Sequence, residues 1–127
     1  TDYASGCCMI LRGRLFKKIG VFDDDYFLYW EDADLSTRVK RAGFKILYSP
    51  QAHVWHKNAG SSRVGGALHD YYLTRNRLLF ASKYANIKSR FALLRESMKF
   101  ILSGRPWQKR GVIDFYFGNL GRGSFKP

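Results

Sequence analysis

The spacing of hydrophobic residues changes once along this chain, at the Gly- and Ser-rich stretch 57–66 (KNAGSSRVGG), and that change limits which folds are open to it. Before the stretch, apolar residues come in short runs: 4–11 (ASGCCMIL), 44–48 (FKILY, ended by Pro50) and 52–56 (AHVWH). Runs of that length bounded by Gly or Pro predict buried strands. Between them, residues 14–19 predict a short helix stopped by Gly20. From Glu31 a clear helix is expected, with Leu35, Val39 and Ala42 on one stripe, acids in its first turn, Lys40 and Arg41 in its last, and Gly43 as its stop. After the stretch the period becomes helical. Leu68, Tyr72, Asn76 and Leu79 mark one helix, and Phe91, Leu94, Met98, Ile101 and Leu102 mark another. Pro106 suits the first turn of a third, which would turn Val112, Phe115 and Tyr116 inward. The expectation is an α/β block over residues 1–63 followed by a basic helical block over 64–127.

At 127 residues the chain is one domain at most, and 46% hydrophobic residues argue for a folded core. Cys7 and Cys8 are adjacent, would point to opposite faces of a strand, and have no third cysteine to pair with, which excludes a disulfide framework and fits a reducing compartment. The chain opens on Thr1 with neither a signal peptide nor an apolar run long enough to span a bilayer, and reads as a piece of something longer. The net charge of +12 is uneven. Residues 1–63 hold 10 Lys and Arg against 7 Asp and Glu; residues 64–127 hold 12 against 3. The second half therefore carries the electrostatic signal for an anionic partner. Its Lys88, Arg90, Arg95, Lys99, Arg105, Lys109 and Arg110 interleave with Phe91, Phe100 and Trp107. No nucleic-acid motif accompanies them, so nucleic acid is not the expected partner, and an anionic membrane surface fits better.

Chemistry concentrates at Tyr29-Trp30-Glu31-Asp32-Ala33-Asp34, where three acids follow an aromatic cluster. A carboxylate beside apolar surface loses hydration and can be held poised to take a proton. Acids at a helix start also simply complement the helix dipole. Glu31 and Asp32 point about 100° apart on a helix, so only one can aim at a given substrate atom. His56 closes the third apolar run, with His53 on the opposite face, so the two cannot share a metal. The D-x-D pairs Asp23/Asp25 and Asp32/Asp34 are not assigned to metal, since turn chemistry and the helix start account for them. The loop's Lys57, Ser61, Ser62 and Arg63 combine cations with exposed backbone N–H groups, a means of holding a diphosphate. Arg75-Asn76-Arg77 is a sequence that ties helices together through hydrogen bonds.

Taken in order, S-G-C-C-M-I-L-R (5–12), G-V-F-D-D-D-Y-F-L-Y-W-E-D-A-D-L (20–35) running on to H-V-W-H (53–56), and Y-Y-L-T-R-N-R-L-L-F (71–80) resemble the C-terminal half of a family-2 glycosyltransferase near the rhamnosyltransferase-like members, with a weaker match at 111–123. The resemblance implies a GT-A, Rossmann-like fold. It makes Asp32 the catalytic base on the acceptor hydroxyl with Glu31 in support, and His56 a ligand of a divalent metal (Mg or Mn). It also makes Lys57, Ser61, Ser62 and Arg63 a lid over the donor diphosphate. The reaction implied is metal-dependent, inverting transfer of a hexosyl or rhamnosyl group from a nucleotide-diphosphate sugar to a glycan or lipid-linked acceptor. It would take place in the cytoplasm, peripherally on the inner face of the cell membrane. In that family the nucleotide-binding half with its metal-holding D-x-D precedes the residues seen here. The 127 residues alone are therefore expected to be inactive, with a sheet edge open to self-association. The competing reading is a non-catalytic basic helical module that binds an anionic membrane, a partner protein or nucleic acid.

Overall fold

A computed structural model describes residues 1–56 and 63–126. These residues form five helices, α1 (Gly13–Ile19), α2 (Glu31–Arg41), α3 (Ala67–Tyr84), α4 (Ile87–Ser103) and α5 (Pro106–Tyr116), and no strand. The expected α/β, GT-A-like class is overturned: the described chain is all-helical. The reason lies in where the backbone donors go, because extended backbone becomes a strand only when a neighbour supplies a ladder. In the run 4–11, the Ala4 N–H bonds to Ser36 Oγ (3.2 Å) and the Gly6 N–H to Asp32 Oδ2 (2.8 Å), while the Cys8 N–H folds back onto the Ser5 carbonyl (3.3 Å). Side chains and a turn thus take the donors that a ladder would use, and Cys7 and Cys8 are both exposed. The Phe44 N–H closes the end of α2 on the Val39 carbonyl (3.2 Å), and the Ala52 N–H turns back to Ser49 (3.3 Å). Leu47, Tyr48, Val54 and Trp55 stay exposed.

The chain divides into two compact units, one built from Thr1–Asp24 and Glu31–Asn58, the other from Asp25–Trp30 and Ala59–Pro127. In the first, α2 starts with Glu31, Asp32 and Asp34 and ends with Arg38, Lys40 and Arg41, so charge of each sign meets the helix end that favours it. Gly43 (φ 82°) donates to Lys40 (3.0 Å), which together with the Phe44 bond makes a Schellman ending at the expected stop. Leu35 and Val39 are buried. Asp34 is buried too and receives the Arg38 Nε at 2.7 Å, and the rest of that guanidinium donates to the Ile19 (2.5 Å) and Val21 (2.8 Å) carbonyls. Asp34 therefore orients the cation that fastens α2 to the end of α1.

The second unit packs α3 against α4 and α5 over Tyr71, Tyr72, Leu78, Leu79, Ala81 and Val112. Gly111, inside α5, lets the helices close up: a Cβ there would lie 2.7 Å from the Tyr71 carbonyl oxygen of α3. A mid-helix Gly costs α5 about 1 kcal/mol of propensity, which the close crossing offsets. Asn86 caps α4 by accepting from the Ser89 N–H (2.9 Å), and the Arg105 N–H before α5 bonds to Gln108 Oε1 (2.9 Å). Tyr72, Asn76 and Leu79 lie inward as their spacing predicts, and so does Val112, but Tyr116 is exposed. The stripe on α4 faces outward. Its inward face is Leu93, Glu96, Ser97 and Phe100, with Ser97 buried. Periodicity shows which residues share a face, not which face finds a partner.

The centre of this unit is polar. Arg75 and Asn76, both with no exposed surface, hold the loop Asp25–Trp30. Asn76 Nδ2 donates to the carbonyls of Tyr26 (2.6 Å), Leu28 (2.7 Å) and Tyr29 (2.9 Å), and its Oδ1 accepts from Arg75 Nε (2.9 Å), which fixes the amide's orientation. The Arg75 guanidinium donates to the carbonyls of Asp25 (3.2 Å), Tyr26 (3.1 Å), Asn119 (3.4 Å) and Gly121 (2.6 Å) and lies over the Tyr71 and Tyr72 rings at 5.2 and 5.1 Å. A buried cation is tolerable only with such partners. The loop needs the grip, because Phe27 (φ 59°), Tyr29 (φ 67°) and Trp30 (φ 74°) are all left-handed. Each such residue costs about 1–3 kcal/mol and persists only where its surroundings impose it.

Two predictions follow from this packing. Asn76→Ala removes the donor from the Leu28 and Tyr29 carbonyls and one of the donors from Tyr26, which keeps Arg75, and is expected to lower stability by about 3 kcal/mol in urea unfolding; a loss below about 1 kcal/mol contradicts the role given to Asn76. The second concerns acid. Hydrogen bonds from Arg105 hold the buried Asp70 carboxyl below the usual range. For Asp114, burial pushes upward but the hydrogen bonds from Tyr71 and Ser124 outweigh it, and its carboxyl too lies low. Folded values below the unfolded ones mean that the stabilisation is complete above the unfolded carboxylate pKa of about 3.9 and is lost as pH falls through the lower folded values. Thermal melts are expected to be flat from about pH 7 to 5 and to drop below about 4, with a shallower acid drop in Asp70→Asn.

Candidate active site

The residues with the chemistry of a reaction centre lie in the first unit, where the segment around Tyr3–Gly6 lies along the first turns of α2. Asp32 Oδ2 accepts the Tyr3 hydroxyl and the Gly6 N–H (2.8 Å), and Oδ1 accepts the Ala33 N–H (2.8 Å). Both oxygens are thereby fixed in direction, and Ser36, one turn on, anchors the same segment through Ala4. The Tyr3 phenol is pushed up to about 12, first by loss of hydration and then by its bond to Asp32, so it stays a proton donor at neutral pH.

Glu31 is set differently. It is half-buried, and its Oε2 has no hydrogen-bond partner among the described residues. Burial pushes its carboxyl up, and the neighbouring Asp32 charge pushes further in the same direction. Adjacent carboxyls in unlike environments can divide acid and base duties between them. Here the carboxyl oriented by donors is Asp32, and the one that burial pushes up is Glu31.

His56 is exposed, and no group of three or more His, Cys, Asp or Glu that could hold a metal ion occurs among the described residues. Arg63 is exposed, whereas Lys57, Ser61 and Ser62 lie outside the described residues. Sequence reasoning missed Tyr3. It stands 29 positions from Asp32, and nothing in local spacing links a tyrosine near the start of the chain to a helix so far away.

No family model matches the chain, and no solved structure matches it. Curated proteins do. Over 67 residues the chain is 40% identical to an N-acetylglucosaminyl-diphospho-decaprenol L-rhamnosyltransferase of Mycobacterium tuberculosis, covering 53% of the chain and 22% of the relative. Over 109 residues it is 33% identical to the rhamnosyltransferase WbbL of Escherichia coli K12, covering 85% of the chain and 35% of the relative. Over 104 residues it is 26% identical to the low-salt glycan biosynthesis hexosyltransferase Agl10 of Haloferax volcanii, covering 81% and 34%. The chain thus spans between about a fifth and a third of the length of these relatives. The sequence is similar to part of the rhamnosyltransferase-like family-2 glycosyltransferases, the group that its motifs between Ser5 and Phe80 resemble.

Proposed function

We propose that this chain supplies the acceptor side of a glycosyltransferase that moves a hexosyl or rhamnosyl group from a nucleotide-diphosphate sugar to a glycan or lipid-linked acceptor, with inversion. The observation that carries the reading is the Tyr3 hydroxyl on Asp32 Oδ2. A sugar acceptor also presents a hydroxyl, and one entering in place of the phenol meets the same oriented oxygen. As that acceptor oxygen bonds to the anomeric carbon, its proton passes to Asp32, and the carbon–oxygen bond to the nucleoside diphosphate breaks with the electron pair leaving on the diphosphate. The N–H groups of Gly6 and Ala33 keep the carboxylate from turning away, which is a positioning contribution. Glu31, whose carboxyl burial pushes up, stands in support beside the base.

The names of the relatives support the transferase class and its place in glycan assembly. The reading includes a divalent cation, Mg or Mn, that offsets charge on the departing diphosphate. His56 is the ligand this chain would contribute, with Lys57, Ser61, Ser62 and Arg63 covering the diphosphate. The described residues do not complete such a site. Because the chain matches at most about a third of each of these relatives, the 127 residues alone are proposed to be inactive. The reaction is assigned to the cytoplasm, at the inner face of the cell membrane.

Asp32→Asn in the complete enzyme is expected to lower sugar transfer by about 10²–10⁴-fold. Tyr3→Phe, which frees Oδ2 without removing the base, should stay within about tenfold of the parent, because general-base catalysis resides in the carboxylate. Radiolabelled-sugar transfer measures both, and an Asp32→Asn enzyme with parental rates would overturn the proposal. His56→Ala is expected to raise the Mg or Mn concentration needed for half-maximal transfer. An unchanged metal response would remove His56 from the site.

A further inference from the structure

Helix α4 has a second face that the fold leaves uncovered. At 100° per residue, Ile87, Phe91, Leu94, Met98, Ile101 and Leu102 fall within about 100° of arc. All six are exposed, Phe91 at 65%, Met98 at 55% and Leu102 at 80%. The opposite face, with Leu93, Ser97 and Phe100, is the one that meets α3 and α5. Scattered exposed apolar side chains are ordinary, but a continuous stripe about four turns long marks an interaction surface.

Charge identifies what covers it. Lys88, Arg95 and Lys99 run along one border of the stripe, exposed and without an ion pair among the described residues. Arg90 lies on the other border, its guanidinium held by the Ser82 (2.8 Å) and Ala85 (3.0 Å) carbonyls and still positive. Glu96, the one acid on the helix, is on the inward side and paired with Arg77 at 2.8 Å. The stripe is therefore bordered by cations alone. A second copy of the chain would bring like charges together, and a nucleic acid backbone has no use for six apolar side chains. An apolar face flanked by Lys and Arg fits the boundary between the anionic headgroups and acyl chains of a bilayer. Among the described residues no helix is long and apolar enough to cross a membrane, so α4 would lie along the surface.

We propose that the outward face of α4 binds anionic lipid bilayers, with Phe91, Leu94, Met98 and Leu102 entering the acyl boundary and Lys88, Arg95 and Lys99 at the headgroups. This stands independently of the transferase reading. The test is sedimentation of the full chain with phosphatidylcholine vesicles, with and without phosphatidylglycerol. Binding is expected only to the phosphatidylglycerol vesicles. It should fall by about a hundredfold in K88Q/R95Q/K99Q, since each cation near the surface contributes about fivefold, and survive in K88R/R95K/K99R. Phe91→Ser with Leu102→Ser should also abolish binding, with far-UV circular dichroism and melting temperature unchanged because both sites are exposed. Four outcomes would overturn the proposal: no binding to phosphatidylglycerol vesicles, equal binding to phosphatidylcholine alone, full retention in the Phe91→Ser/Leu102→Ser variant, or a soluble dimer that this variant dissolves.

Discussion

The second unit depends on one buried polar clamp. Arg75 and Asn76 are consecutive residues of α3 without exposed surface, and between them they take up carbonyls from Asp25 to Tyr29 together with those of Asn119 and Gly121. Hydrophobic packing alone would not hold three left-handed aromatic-loop residues, because apolar contact is non-directional. Directed hydrogen bonds can, and the rings then settle around the fixed backbone: Phe27 on Tyr72 at 5.2 Å, Tyr29 edge-on to His69 at 5.8 Å, Trp30 against Phe80 at 5.1 Å. The Gly121 N–H returns a bond to the Asp25 carbonyl (2.8 Å), so the loop and the chain after α5 are secured by the same residues.

Helices were legible in the sequence, and the sheet inferred beside them does not occur among the described residues. Acids and bases at the ends of α2, Gly43 after it and Pro106 opening α5 are local signals, written within one or two turns of where they act. The three apolar runs were misread because a strand is a relation between segments. Ser36 and Asp32, side chains on a helix, accept the donors from 4–11 that a ladder would have used. The α4 stripe marks its helix as the spacing predicts, but which face of that helix finds a partner is again a relation between segments. The stripe's residues share an exposed face, and the small, buried Ser97 lies on the other side, which meets α3 and α5.

At the candidate site, the prominence of Glu31 and Asp32 was visible as a run of acids after aromatics, yet the division of labour between them was not. It arises from non-local facts: Tyr3 and Gly6 reaching Asp32, and the burial of Glu31 without a partner for Oε2. Asp34, chemically the same residue type two positions on, is spent on Arg38 and the α1 end. Three neighbouring carboxyls thus have three environments, one oriented by donors, one desolvated, one ion-paired, and only the first two suit proton chemistry.

The central claim is that Asp32 receives the hydroxyl of an incoming acceptor at the position Tyr3 now fills. The most direct measurement follows the ¹³C-carboxyl resonance of Asp32 and the ring resonances of Tyr3 by NMR while a glycan acceptor is titrated into the chain. Concerted shifts of both, with Tyr3 signals moving toward those of a phenol released from its carboxylate, are the predicted result. Saturation of the chain with acceptor while both sets of resonances stay unmoved would contradict the account.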